Sequence, residues 1–131
     1  ARTHMFSTAL TPAMCAAACT ALEIIATEPE RRAGLAAKSQ RLRALLDDRG
    51  IAIPPESRGP IIPVILGDPD RCTTVAARLE EHGFLVAGIR PPSVPRGTAR
   101  LRVTVTAWHP DDVLEELAEA TAACALQPTS T

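Results

Sequence analysis

Between Thr11 and Thr27 the apolar residues Met14, Ala17, Ala18, Ala21, Leu22 and Ile25 recur at helical spacing. That period places them on one wide face of a first helix. Thr11 supplies an N-cap and Pro12 a proline at the first helical position. Thr27 and Glu30 have capping-box spacing around Pro29, which predicts a second helix running to about Arg49 and stopped at Gly50. Leu35, Leu42, Leu45 and Leu46 form its apolar stripe, with arginine and aspartate on the solvent side. Ile51 to Ile53 reads as a short strand, residues 54–60 as a Pro/Ser/Gly connection, and Ile61 to Leu66 as a strand. Pro63 lacks a ladder donor, so that strand lies at an edge or turns the Pro63 nitrogen away from its neighbour. Asp68 caps a third helix from Pro69 to about His82, ended by Gly83. Strands follow over Phe84 to Ile89 and Ala99 to Ala107. In the last strand Leu101, Val103 and Val105 share one face, while Arg100, Arg102, Thr104 and Thr106 share the other. Pro110 opens a fourth helix with Val113, Leu114, Leu117, Ala120 and Cys124 inward.

The predicted order is ααββαββα, an α/β (α+β) fold. Short connections make the sheet small and mainly antiparallel, with helices on its apolar face. The polar face carrying Arg100 and Arg102 is left free to meet something else.

A length of 131 residues suits one domain with a core of its own. Apolar residues are 46% and aromatics only 2%, so the core must be Ala, Leu, Val and Ile. A net charge of -1 gives no support for non-specific nucleic-acid binding. Cys15, Cys19, Cys72 and Cys124 form no CxxC pair and no zinc-type cluster with histidine. All four are expected to be buried free thiols, which fits a reducing compartment. No signal peptide and no membrane-length apolar run is visible, so no membrane partner and a cytoplasmic location are expected. Residues 1–10 start without an initiator Met and read as an inter-domain or interface segment of something larger. A domain over 11–127 and a frayed tail over 128–131 complete the expected organisation.

The stretch from Gly88 to Thr106, GIRPPSVPRGTARLRVTVT, carries the candidate chemistry. Pro91, Pro92 and Pro95 each fix a backbone torsion and restrict the residue before them, which predicts a pre-ordered extended hook. Gly97 allows the sharp turn into the last strand. The hook is expected to bring Arg90 and Ser93 near the face bearing Arg102. Guanidinium plus hydroxyl is a carboxylate- or phosphate-binding set. The same pattern also describes plain solvent-facing strand arginines beside an edge strand that prolines terminate.

The segment IRPPSVPRGTARLRVT resembles the C-terminal signature of the α-oxoamine synthases, pyridoxal-phosphate enzymes of fold type I. FSTALTPA, ALEIIATEPERR and GPIIPVILGDPDR resemble neighbouring parts of the same family, and the likeness covers about Arg2 to Leu117. It is close in form to the biotin-pathway branch. The resemblance implies the small C-terminal domain of an enzyme that condenses an amino acid with an acyl thioester and releases CO2. It implies that Arg102 grips the amino-acid carboxylate, that Ser93 stands for a substrate-contacting threonine, and that Arg90 supports a substrate or product carboxylate. Ser7 and Thr8 match hydroxyls that approach the cofactor phosphate of the partner subunit in the family's homodimer. Pyridoxal 5'-phosphate would belong to the full-length parent and is not expected on this chain alone.

The family's Schiff-base lysine and large cofactor domain have no counterpart in these residues, so no catalytic residue is assigned and the isolated chain is expected to be inactive. Lys38, the only lysine, sits on the polar side of helix two and does not match the catalytic position. Thr11 stands where the family has proline, and Trp108 where a small residue is common. His82 reads as a helix C-terminal charge, His109 as a cap before the last helix, and His4 as an interface residue; none forms a triad. The competing readings are a free-standing, non-catalytic binding module derived from this domain, and a sister acyl-CoA:amino acid acyltransferase.

Overall fold

The computed structural model describes residues 10–126. The chain divides into two compact units, with the division between Arg32 and Ala33. In the first unit, helix α1 spans Pro12–Thr27. The Thr11 side chain accepts the Met14 N–H at 3.3 Å, as its N-cap role requires. No residue of α1 is buried. Cys15 and Cys19 are therefore exposed, against the expectation of buried thiols. A small-residue run makes burial possible, but burial itself needs a packing partner, which local composition does not encode.

Thr27 does not cap the second helix either. It is the last residue of α1, and its hydroxyl donates to the Glu23 carbonyl at 2.8 Å. A residue still in helical conformation turns its hydroxyl back one turn instead of forward to the next amides. The Glu28 carboxylate instead pairs with Arg31. Helix α2 then runs Pro29–Asp48.

The second unit adds β1 (Ile61–Gly67), α3 (Pro69–Glu81), β2 (Ala87–Ile89), β3 (Ala99–Thr104) and α4 (Asp111–Leu126), so the order is ααβαββα. The three strands form an antiparallel sheet in the order β1-β3-β2. Pro63 lies on edge strand β1 opposite Arg102, where its missing N–H is tolerated. Asp68 caps α3 by accepting the Arg71 N–H at 2.7 Å.

Three strand expectations change. Residues 51–53 form no strand: the Ile51 N–H closes on Leu46 O at 2.9 Å and its buried side chain fills the core under the end of α2. The second strand shrinks to Ala87–Ile89, because the Phe84 N–H returns to Leu79 O at 2.9 Å and Leu85 is 90% exposed. The last strand ends at Thr104, whose partner Ile61 is the first residue of β1. Beyond that register the ladder has nothing to pair with, apart from the Val105 N–H donating to Pro60 O at 2.9 Å.

Strand alternation sorts the sheet. Ile62 opposes Val103, and Val64 and Gly88 flank Leu101, all facing inward. Helix α3 lies against all three strands. Leu42 and Leu46 of α2, Val75 and Leu79 of α3, and Leu114 and Ala118 of α4 complete the same core. The core is aliphatic, with Phe84 only partly buried against it. Gly88 lets α3 approach closely: a Cβ there would sit 3.2 Å from the Cys72 sulfur.

Cys72 and Cys124 are buried, as expected. Burial pushes both thiols up from the usual range, with Arg90 acting against it at Cys72 and Arg78 at Cys124. Both stay protonated in the fold after unfolded thiols have ionised. Their contribution to stability is thus complete below about pH 8.5 and is lost as pH rises through the higher folded-state values. Ellman's reagent is expected to label Cys15 and Cys19 immediately and Cys72 and Cys124 only on unfolding. Four fast thiols would contradict this assignment.

Candidate anion-binding site

The strand alternation that buries Leu101 turns Arg100 and Arg102 to the face of the sheet opposite helix α3. Pro63 and Ala87 are the register partners of Arg102, and Ile65 and Ile89 those of Arg100. On this face a concavity of about 360 Å³ is lined by Ser57, Arg58, Ile61, Pro63, Ile89, Arg100 and Arg102. Arg102 is exposed, and among the described residues its side chain has no hydrogen-bond or ion-pair partner. Arg100 is half-buried and its Nε–H donates to Thr98 O at 3.0 Å. The floor is thus apolar and the rim cationic, which suits the carboxylate of a small organic molecule.

The proline hook is tighter than expected. Residues 90–93 form a turn, closed by the Ser93 N–H on the Arg90 carbonyl at 3.0 Å. The Pro91–Pro92 peptide bond is cis. Pro91 and Pro92 have no N–H, so Ser93 offers the first amide that can close the loop. Arg90 follows Ile89 by one residue, and alternation sends it to the helix side of the sheet. There its Nη1 donates to Thr73 Oγ1 on α3 at 3.1 Å. Arg90 and Ser93 come together in a second concavity of about 380 Å³ that also includes Pro69, Gly88 and Pro91. The hook therefore places neither Arg90 nor Ser93 among the residues that line the Arg102 concavity, against the expectation for both. Ile89 is the one residue that lines both concavities.

Ser57 and Arg58 were not singled out from the sequence. They reach the site because residues 54–60 fold against the start of β1. Arg43 of α2 secures that loop, donating to Ser57 Oγ at 3.4 Å and to Gly59 O. Burial, and then the neighbouring Arg58 charge, lower the Arg43 pKa. The available signal was the rigid Pro54-Pro55 pair before Arg58-Gly59, with Gly59 at φ 72.

Lys38 is also not where its pattern put it. It is half-buried, and its ammonium donates to Ala107 O at 3.1 Å and to His109 O. It ties α2 to the turn between β3 and α4. His109 Nδ1 accepts the Thr106 N–H at 3.2 Å, so it braces that turn instead of capping α4. His82 does end α3, with Nδ1 2.8 Å from Arg78 O. Lys38→Met is expected to cost about 1–3 kcal/mol, the scale for leaving buried carbonyls without a charged donor. An unchanged urea midpoint would show that water replaces the ammonium freely. Ser7, Thr8 and His4 lie outside the described residues. Among the described residues no cluster of potential ligands could hold a metal ion, and no helix is long and apolar enough to cross a membrane.

The helices and three-stranded antiparallel sheet have their structural neighbours among pyridoxal-phosphate enzymes of fold type I, and residues 1–120 match the model for aminotransferase class I and II. The chain belongs to that family. It is 49% identical over 123 residues to an 8-amino-7-oxononanoate synthase of Anaeromyxobacter dehalogenans (strain 2CP-C), covering 91% of this chain and 31% of the relative. It is 44% identical over 124 residues to the synthase of that name from Chromohalobacter salexigens, covering 95% and 32%. Among solved structures, a serine palmitoyltransferase of Sphingomonas wittichii superposes with a TM-score of 0.83 at 31% identity, over 91% of this chain and 30% of that one. The chain spans about a third of the length of the curated relatives it matches. The resemblance to the α-oxoamine synthases, read from the sequence, therefore stands.

The family's cofactor is pyridoxal phosphate. It needs an ammonium free to form a Schiff base and a cradle for its phosphate. The ammonium of Lys38, the chain's single lysine, is held by two carbonyls. The described residues thus do not fit the cofactor by themselves.

Proposed function

We propose that this chain is the substrate-carboxylate-binding small domain of an 8-amino-7-oxononanoate synthase. The observation that carries the reading is the unpartnered guanidinium of Arg102 on the free sheet face, over an apolar floor. The parent reaction would condense L-alanine with pimeloyl-CoA or pimeloyl carrier protein, releasing CO2 and the free thiol, in biotin biosynthesis. Pyridoxal phosphate, when bound to the parent, supplies the electron sink. Arg102 holds and orients the amino-acid carboxylate. Ser93 presents its hydroxyl from the hook, and Arg90 supports a second carboxylate position from the adjoining concavity. Ser7 and Thr8 would approach the cofactor phosphate of the partner subunit in a cytoplasmic homodimer. The curated relatives at 44–49% identity, both named 8-amino-7-oxononanoate synthase, support this reading.

The full-length protein is expected to release CO2 from L-alanine only when a pimeloyl thioester is present. Turnover of serine with a long-chain acyl-CoA instead would move the assignment to a sister enzyme. The 131-residue chain alone is expected to give no turnover and no new visible absorbance band with pyridoxal phosphate. A band that Lys38→Met removes would contradict this.

A further inference from the structure

We propose that Thr73 is a positioning residue: from α3 its hydroxyl sets the Arg90 guanidinium at the second concavity, so that the site favours an acyl donor ending in a carboxylate. The inference rests on the reading of Arg102 and Arg90 as holders of two separate carboxylates, and adds to it what fixes Arg90. With the amino-acid carboxylate on Arg102, the other carboxylate among the proposed substrates is the terminal one of the pimeloyl group.

Arg90 is fixed at both ends. Its backbone is restricted by Pro91, which follows it, and its carbonyl accepts the Ser93 N–H at 3.0 Å. At the far end, Nη1 donates to Thr73 Oγ1 at 3.1 Å. A hydroxyl has one proton to give, and Thr73 gives it to Pro69 O at 3.0 Å. That back-bond holds the β-branched side chain in one helical rotamer and leaves its lone pairs for a donor. Pro69 lines the second concavity with Arg90 and Ser93, so the contacts from Arg90 to Thr73 to Pro69 tie the guanidinium to the concavity wall. No acidic side chain lines this concavity. Glu80 shares a neighbouring groove with Arg90, but it lies two helical turns beyond Thr73, about 10 Å along α3. The ion pairs among the described residues use Arg31 and Arg41, not Arg90. A guanidinium has five N–H donors in a planar fork. One Nη1–H on Thr73 leaves the Nε and Nη2 donors to grip a carboxylate with two parallel bonds. Placement before the ligand arrives lowers the ordering cost of binding. A plain acyl chain, with a methyl group at its end, gains nothing from it.

The test compares, in the full-length protein, pimeloyl-CoA with heptanoyl-CoA, in which a methyl group replaces the terminal carboxylate. Thr73→Val is expected to lower the ratio of kcat/KM for pimeloyl-CoA to that for heptanoyl-CoA by about threefold to tenfold, the scale of one net hydrogen bond. The loss is expected in KM for pimeloyl-CoA. Thr73→Ser keeps the hydroxyl and is expected to restore the ratio. Thr73 is an exposed helix position, so the valine variant is expected to fold. In the 131-residue chain, NMR relaxation is expected to show the Arg90 Nε–H more mobile in Thr73→Val than in the wild type. The proposal is overturned if Thr73→Val leaves the ratio intact, if it lowers kcat alone, if Thr73→Ser fails to restore the ratio, or if the Arg90 Nε–H is equally mobile in both. Arg90→Gln separates the two readings: it is expected to remove the preference for pimeloyl-CoA. A preference that survives Arg90→Gln, or a wild type with no preference, defeats the carboxylate reading of Arg90 and the proposal with it. A preference lost in Arg90→Gln but kept in Thr73→Val defeats the role of Thr73 alone.

Discussion

Arg102→Gln in the full-length protein is expected to raise KM for the amino acid by about 10- to 100-fold, the scale of a lost charge-assisted hydrogen-bond pair. The guanidinium is exposed and has no partner among the described residues, so the fold loses nothing that it was using. The stability change should stay within about 0.5 kcal/mol, as for ordinary surface substitutions. Glutamine keeps a donor and much of the side-chain volume but loses the fork and the charge. Measuring KM for the amino acid and for the acyl thioester separately decides the matter. A rise confined to the amino acid is the signature of carboxylate binding. An unchanged amino-acid KM would remove Arg102 from the site.

Leu101→Ala is expected to do the opposite: to damage the fold, not the chemistry. Leu101 is fully buried in the middle of central strand β3, between Val64 on one side and Gly88 on the other. Glycine offers no side chain that could move into the void, so the cavity would collapse poorly. Truncating a buried leucine costs about 2–5 kcal/mol, against about 5–15 kcal/mol of total stability for a typical domain. A urea titration should show a large fall in midpoint. Leu85→Ala, at a side chain 90% exposed, serves as the control and should shift it little. A Leu101→Ala midpoint equal to the control would mean that the core tolerates the void. Leu101 and Arg102 are neighbours in sequence yet fail in different ways, because alternation sends one to the core and the other to the ligand face.

The elements that were legible depend on short-range physics. Thr11 and Asp68 cap helices through amides three residues on, and the alternation of β3 needs only the strand period. The features that were misread turned on which partner a group finally met, near or far along the chain. The 51–53 segment has a strand's composition, but its amide closes on Leu46. Cys15 and Cys19 have a buried helix's composition without any buried residue around them on α1. Lys38 follows the polar period of α2, yet two carbonyls about 70 positions along the chain claim its ammonium.

The candidate site divides in the same way. By itself the sequence determined which strand would carry Arg102, that this arginine would face away from the core, and which family the proline and arginine segment resembles. Those outcomes follow from side-chain alternation and from motif residues contiguous in the chain. Only the tertiary structure decided that Arg90 would turn to Thr73 on the helix side, and that Ser57 and Arg58 would join Arg102. The direction of Arg90 depends on where pairing stops, and the arrival of Arg58 on a latch from Arg43. Both are contacts between residues far apart along the chain, which no local pattern encodes.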